Sequence, residues 1–162
     1  MMGFSAGGHL AAMTGVQSGA GRADDPDPLE RQSSRPDFLI LAYPWLEAMQ
    51  IRSNGHSQYC DFAKSIKADC NPAEYVRFLP TQLVDEHTPP AFIYHTSNDE
   101  LVPAVGSVKF FEALMEHHVP AELHSFEVGR HGSGLGGASP ALSHWPELLD
   151  AWMRARGLLE AN

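Results

Sequence analysis

Near the start of the chain, in MMGFSAGGHL, the residues Gly3-Phe4-Ser5-Ala6-Gly7 carry the spacing G-x-S-x-G. That spacing suits a nucleophile elbow, a sharp turn from strand to helix that lifts a serine hydroxyl over the edge of a sheet. A serine hydroxyl is a poor nucleophile until a base takes its proton, and the base needs an acid to hold it in the right tautomer. The spacing therefore asks for partners downstream, in the order Ser, then Asp or Glu, then His, each on a loop after a strand. Asp99, in the turn Ser97-Asn98-Asp99-Glu100, and His131, in Gly129-Arg130-His131-Gly132, stand at such places and in that order. A lone G-x-S-x-G recurs by chance; the ordered acid and histidine give it weight.

Other roles compete for each residue. Ser5 also suits a helix N-cap or an anion-binding turn. Asp99 competes with Glu100 beside it and with Asp24, Asp25 and Asp27, whose loop reads as a solvated face; its alternative role is to cap the helix that follows. Of nine histidines, His9 lies four residues past Ser5 on the same helical face, and His117-His118 sit near a helix end where a positive charge is favoured. His95 and His124 fall in strands, and His56, His87 and His144 in loops. Only His131 combines a post-strand loop with flanking glycines. There is no H-E-x-x-H and no paired Cys or His spacing, so neither a zinc site nor any other metal or cofactor is expected. Gly134-Leu135-Gly136-Gly137 follows the histidine instead of joining a strand to a helix, and reads as a flexible loop, not a phosphate cradle.

The elements that must position these residues can be read from apolar spacing. Residues 6–16, rich in Ala, Gly, Leu and Met, form a buried helix beginning at Ser5, and residues 17–36, with Gly, Pro, Asp and Ser and no apolar period, form a surface loop. The runs DFLILAY (37–43) and AFIYHT (91–96) are continuous and apolar, as in strands buried on both faces of a parallel sheet. AELHSFEV (121–128) alternates, as a strand near an edge does. Residues 104–118 place Val105, Val108, Phe111, Leu114 and Met115 at spacings of three and four, and residues 145–159 repeat the pattern with Leu148, Leu149, Trp152 and Met153. Three strands alternating with helices make an α/β fold, a mainly parallel sheet flanked by helices. No strand is expected before the elbow beyond a remnant in Met1-Met2. Residues 45–88 form a long insertion over the carboxyl edge of the sheet, where such segments shape pockets.

Composition narrows the function classes. With 162 residues, 43% apolar and 19% charged, the chain reads as one globular domain, 1–162, with a real core. A formal charge of −9 argues against nucleic acid as a partner, because binding the phosphate backbone needs clustered Lys and Arg. No apolar run is long enough for a bilayer span, and the first residues lack a basic n-region and an apolar h-region, so a soluble chain without a membrane partner is expected, cytoplasmic by default. Cys60 and Cys70 fit a disulfide across a short loop and free thiols equally well, which leaves the compartment open.

At this point the chain resembles the carboxyl-terminal part of an α/β-hydrolase of the acetyl esterase and xylan-esterase-like group, which includes relatives of the prolyl oligopeptidase catalytic domain. The matching stretches are GFSAGGHLAA, PDFLILAYP, TPPAFIYHTSNDELVP, FFEALMEHHVPAELHSFEVGRHGSGLG and HWPELLDAWM. The resemblance implies a serine ester hydrolase acting on small acyl esters through an acyl-enzyme. Ser5 is then the nucleophile, His131 the general base and acid, Asp99 the residue orienting it, and the Ala6 N–H an oxyanion donor at a helix start. Trp45, Tyr59, Tyr75 and Phe78 of the insertion would help shape the acyl and alcohol pockets. The strands and H-G-G-type loop that precede the elbow in such enzymes do not match any part of this chain, so a fragment is expected, with the amino-terminal strands and the middle strand of the sheet absent. Its exposed sheet edge should invite homo-oligomerisation. The alternatives are a prolyl-oligopeptidase-like serine peptidase, which shares the triad, and an inactive, self-associating remnant.

Overall fold

The protein is described by a computed structural model, which covers residues 1–47, 58–65, 70, 76–137 and 139–160. Four parallel strands, β1 (Met2–Phe4), β2 (Leu39–Ala42), β3 (Ala91–Thr96) and β4 (Ala121–Phe126), make one sheet in the order β1-β2-β3-β4. They are joined by the helices α1 (Ala6–Val16), α2 (Gln58–Ser65) and α3 (Val105–Glu116), and α4 (Trp145–Ala155) follows β4. Short 3-10 turns occupy Val76–Phe78, Pro80–Gln82 and Leu142–His144.

The unbroken apolar runs of β2 and β3 are buried at every position because helices cover both faces of the sheet. The alternation of side chains along a strand sorts them into two cores. Leu39 and Leu41 of β2 and Ile93 of β3 pack with Ala11, Ala12, Phe110 and Leu114 of α1 and α3. Ile40, Ala42, Phe92 and Tyr94 pack on the other face with Trp145 and Trp152 of α4.

Several expectations are corrected. Among the described residues there are four strands, not three: Met2–Phe4 pairs in register with Ile40–Ala42, so a strand does lead into the elbow. Among the described residues the two edges of the sheet are β1 and β4. The helix α1 begins at Ala6 and is buried on one side only, since Leu10 is 62% exposed. In α3 the inward face is Gly106, Ser107, Phe110, Ala113 and Leu114, whereas Val105, Val108 and Met115 are exposed. Apolar spacing finds this helix with its inward Leu114 and the partly buried Phe111, but not the rest of the buried stripe, which includes Ser107, hydrogen-bonded to His95. The last helix stops at Ala155, short of Leu159.

Cys60 and Cys70 are joined as a disulfide, with Cα atoms 4.9 Å apart, in line with the first of the two readings of this pair. Of the expected insertion, residues 48–57, 66–69 and 71–75 lie outside the described residues, and with them His56 and Tyr75. Among the described residues no helix is long and apolar enough to cross a membrane.

Candidate active site

Ser5 sits between β1 and α1 with φ 52° and ψ −119°, a backbone conformation that non-glycine residues adopt only when the surroundings impose it. The surroundings here are specific. The Ser5 N–H donates to the Ala42 carbonyl at 3.0 Å, and the Ser5 carbonyl accepts from Trp45 N–H at 3.0 Å and from His9 N–H at 3.1 Å. The turn is therefore stitched to the carboxyl end of β2 on one side and to the first turn of α1 on the other. Two glycines let it close. A Cβ on Gly3 would overlap the Gly7 carbonyl, and one on Gly8 would come within 2.7 Å of the Pro44 side chain. Gly7, the second glycine of the sequence motif, faces open space.

The three residues singled out by spacing meet. Ser5 Oγ lies 2.8 Å from His131 Nε2, and His131 Nδ1 lies 2.6 Å from Asp99 Oδ2. Because Nδ1 faces a carboxylate it carries the proton, and the Nε2 lone pair is left to accept the Ser5 hydroxyl. The Asp99 side chain is fully buried, and its other oxygen, Oδ1, accepts from Leu101 N–H at 3.0 Å and Val102 N–H at 2.8 Å. Burial works against the charge of Asp99. The Val102 N–H, the His131 side chain and the Leu101 N–H together outweigh it and hold the carboxyl below its ordinary value. Asp99 thus caps the 99–102 turn and not the start of α3, and neighbouring Glu100 points to solvent. The loop acids stay apart from the site, with Asp25 paired to Arg22.

The loop holding His131 is hydrogen-bonded on both sides of the histidine. Thr96 Oγ1 donates to the Gly129 carbonyl at 2.8 Å, and Gly129 N–H donates to Asn98 Oδ1 at 2.8 Å. Further along, the Gly134 carbonyl accepts from both the Tyr94 hydroxyl at 2.8 Å and Trp145 Nε1–H at 2.9 Å. The two donor rings stack with centroids 4.5 Å apart, and burial pushes the Tyr94 hydroxyl well above the ordinary phenol value, so it remains a neutral donor. Tyr43 packs edge-on against the His131 ring at 5.2 Å. Tyr94 and Trp145 are contributors that motif spacing missed. The one local signal was Tyr-His at the end of an otherwise apolar buried strand.

Ala6 is the first residue of α1, where N–H groups lack intrahelical acceptors and the helix end is electropositive. His9 Nε2 bonds to the Phe78 carbonyl at 2.8 Å and its ring lies 5.9 Å from that of Trp45, which brings two insertion residues beside α1. Tyr59 lies in α2. Among the described residues no group of three or more His, Cys, Asp or Glu side chains could hold a metal ion.

A parallel sheet with helices on both faces, an elbow serine and an acid and histidine on loops at strand ends define an α/β-hydrolase. Residues 1–114 match the family model described as BD-FAE, and the chain belongs to that family. The match includes Ser5 and Asp99 and ends before His131. Among similar proteins, the acetylxylan esterase of Xylanibacter ruminicola is 31% identical over 138 residues, 84% of this chain and 26% of that protein. Endo-1,4-beta-xylanase B of Butyrivibrio fibrisolvens is 32% identical over 134 residues, 82% of this chain and 20% of that protein. The crystal structure of an acetyl ester-xyloside bifunctional hydrolase from Caldicellulosiruptor lactoaceticus superposes with a TM-score of 0.84 at 36% identity, covering 98% of this chain and 57% of that one. The chain thus spans about a quarter or less of the curated relatives it matches, and somewhat over half of the solved structure.

Proposed function

We propose that residues 1–162 form one α/β-hydrolase domain that works as a serine carboxylic ester hydrolase through an acyl-enzyme, with acetyl esters of sugars as substrates. The observation that carries this reading is the unbroken hydrogen-bonded run from Ser5 Oγ through His131 to Asp99. Ser5 attacks the acyl carbon as His131 Nε2 takes its proton, and the imidazolium formed is steadied by the Asp99 carboxylate. The Ala6 N–H receives the developing oxyanion, aided by the dipole of α1. His131 then returns the proton to the leaving alcohol, and water, deprotonated by the same nitrogen, releases the acid. The choice of acetylated sugars follows the names of the relatives at 31% and 36% identity, and the insertion, with Trp45 and Phe78 beside α1, is the part of the chain available to shape the pocket.

The test is the intact mass after exposure to a fluorophosphonate probe. One adduct is expected on the parent chain, none on Ser5→Ala, and slower labelling of His131→Ala. A folded parent chain that takes no adduct, or a Ser5→Ala chain labelled as fast as the parent, would sink the proposal.

The same reading includes self-association. Among the described residues the outer edge of β1 has no strand partner, and Met1, Met2, Phe4 and Leu10 expose apolar surface around it. An unpaired, apolar sheet edge is a template for another chain. Sedimentation velocity should show a concentration-dependent oligomer that Phe4→Lys shifts toward monomer; a single monomeric boundary at all concentrations counts against it.

A further inference from the structure

We infer that His95 is a positioning residue of this site, holding Asp99 by donating from Nε2 into the 99–102 turn and toward the same carboxylate oxygen that accepts His131. The inference rests on the ester hydrolase reading. His95 lies on β3, four residues before Asp99, and its side chain is 1% exposed. Its Nε2 is 3.0 Å from the Val102 carbonyl oxygen and 3.3 Å from Asp99 Oδ2, and its Nδ1 is 2.8 Å from Ser107 Oγ.

These distances fix the tautomer. A carbonyl only accepts, so Nε2 carries the proton and Nδ1 accepts from the Ser107 hydroxyl. His95 then acts on Asp99 twice. It bonds the carbonyl of Val102, whose own N–H holds Asp99 Oδ1 at 2.8 Å, and it presents a positive N–H edge to Oδ2. A histidine placed only to fill the core would be satisfied by Ser107 and Val102; the nearby Asp99 oxygen is what links it to the site.

The ring must also stay neutral. A second cation beside Asp99 would compete with the imidazolium of His131 for the one carboxylate, whereas a neutral dipole orients it without competing. The titratable groups facing His95 are Asp99 and His131. Burial is the largest influence and favours the neutral ring, and it outweighs the opposing pull of the Val102 carbonyl and Asp99.

The experiment compares the parent with His95→Met, which cannot donate, and His95→Gln, whose amide can, in hydrolysis of 4-nitrophenyl acetate. His95→Met should lower kcat by about tenfold, the loss expected for one hydrogen bond to a charged group, with KM unchanged. His95→Gln should recover to within about threefold of the parent, a margin of well under one hydrogen bond. Equal kcat in His95→Met, or His95→Gln as slow as His95→Met at equal Tm, would overturn the inference. Carbon-13 titration of the Asp99 carboxyl separates this failure from failure of the esterase reading, because it needs no turnover. The midpoint should rise in His95→Met and stay in place in His95→Gln; an unmoved midpoint in His95→Met overturns the inference. Nitrogen-15 spectra of the parent require no variant to fold: a neutral Nε2–H tautomer is expected at pH 7, and an Nδ1–H tautomer would overturn it.

Discussion

Asp99→Asn is expected to lower ester turnover by roughly 10³–10⁴-fold, the scale on which a triad fails when its histidine is held in the wrong tautomer. The reason lies in the two sides of the carboxylate. Oδ1 accepts the N–H groups of Leu101 and Val102, and an asparagine keeps that role for its carbonyl oxygen. Its amide nitrogen must then replace Oδ2 opposite His131 Nδ1, where a donor would face a donor. His131 answers by moving its proton to Nε2, and the nitrogen 2.8 Å from Ser5 Oγ can no longer accept the hydroxyl proton. Fold and substrate binding survive, because the 99–102 turn keeps both backbone bonds. The measurement is kcat and KM for an acetyl ester, with circular dichroism on the same samples and Glu100→Gln as the control. A kcat within tenfold of the parent for Asp99→Asn would remove Asp99 from the machinery.

The second large effect separates the two glycines of the motif. Gly3→Ala places a methyl group against the Gly7 carbonyl, backbone against backbone, where no side-chain rotation brings relief. Overpacking typically costs about 1–3 kcal/mol, and an overlap of backbone with backbone belongs at the upper end of that range. Against a typical domain stability of about 5–15 kcal/mol, that loss falls where β1, α1 and the Ser5 turn are joined. Gly7→Ala adds its methyl group to open space inside α1, and the better helix former is expected to raise stability by up to about 1 kcal/mol. Thermal melts check both: a marked loss of Tm and of probe labelling for Gly3→Ala, and a Tm at or above the parent's for Gly7→Ala. If Gly3→Ala melts with the parent, the close approach at the elbow is not what the motif protects.

Much of the fold was open to reading because its signals are local. β2 and β3 are covered on both faces, so their apolar runs are unbroken and bounded by Pro and polar turns, and Ala91–Thr96 is found at the expected residues. The serine, acid and histidine could be picked out by order because each follows a strand, and the loop after a strand is where the chain leaves the sheet. The three-residue β1 was harder to see. It is too short to show a period, and it exists through pairing with Ile40–Ala42.

By itself, then, the sequence determined the α/β class, two buried strands, the helices that follow and the residue types available for a nucleophile, a base and an acid. Only the tertiary structure decided which of those groups touch, since Ser5 and His131 are 126 residues apart and their 2.8 Å contact depends on how the sheet aligns its strand ends. It also decided that the glycine-rich histidine loop is clamped through the Gly134 carbonyl, that α3 turns Ser107 inward and Val108 outward, and that Gly8 packs closely where Gly7 does not. The physical reason is the same in each case. Periodicity and turn chemistry act within a few residues, whereas hydrogen-bond partners and close approaches are set between segments distant in sequence, once both cores have packed.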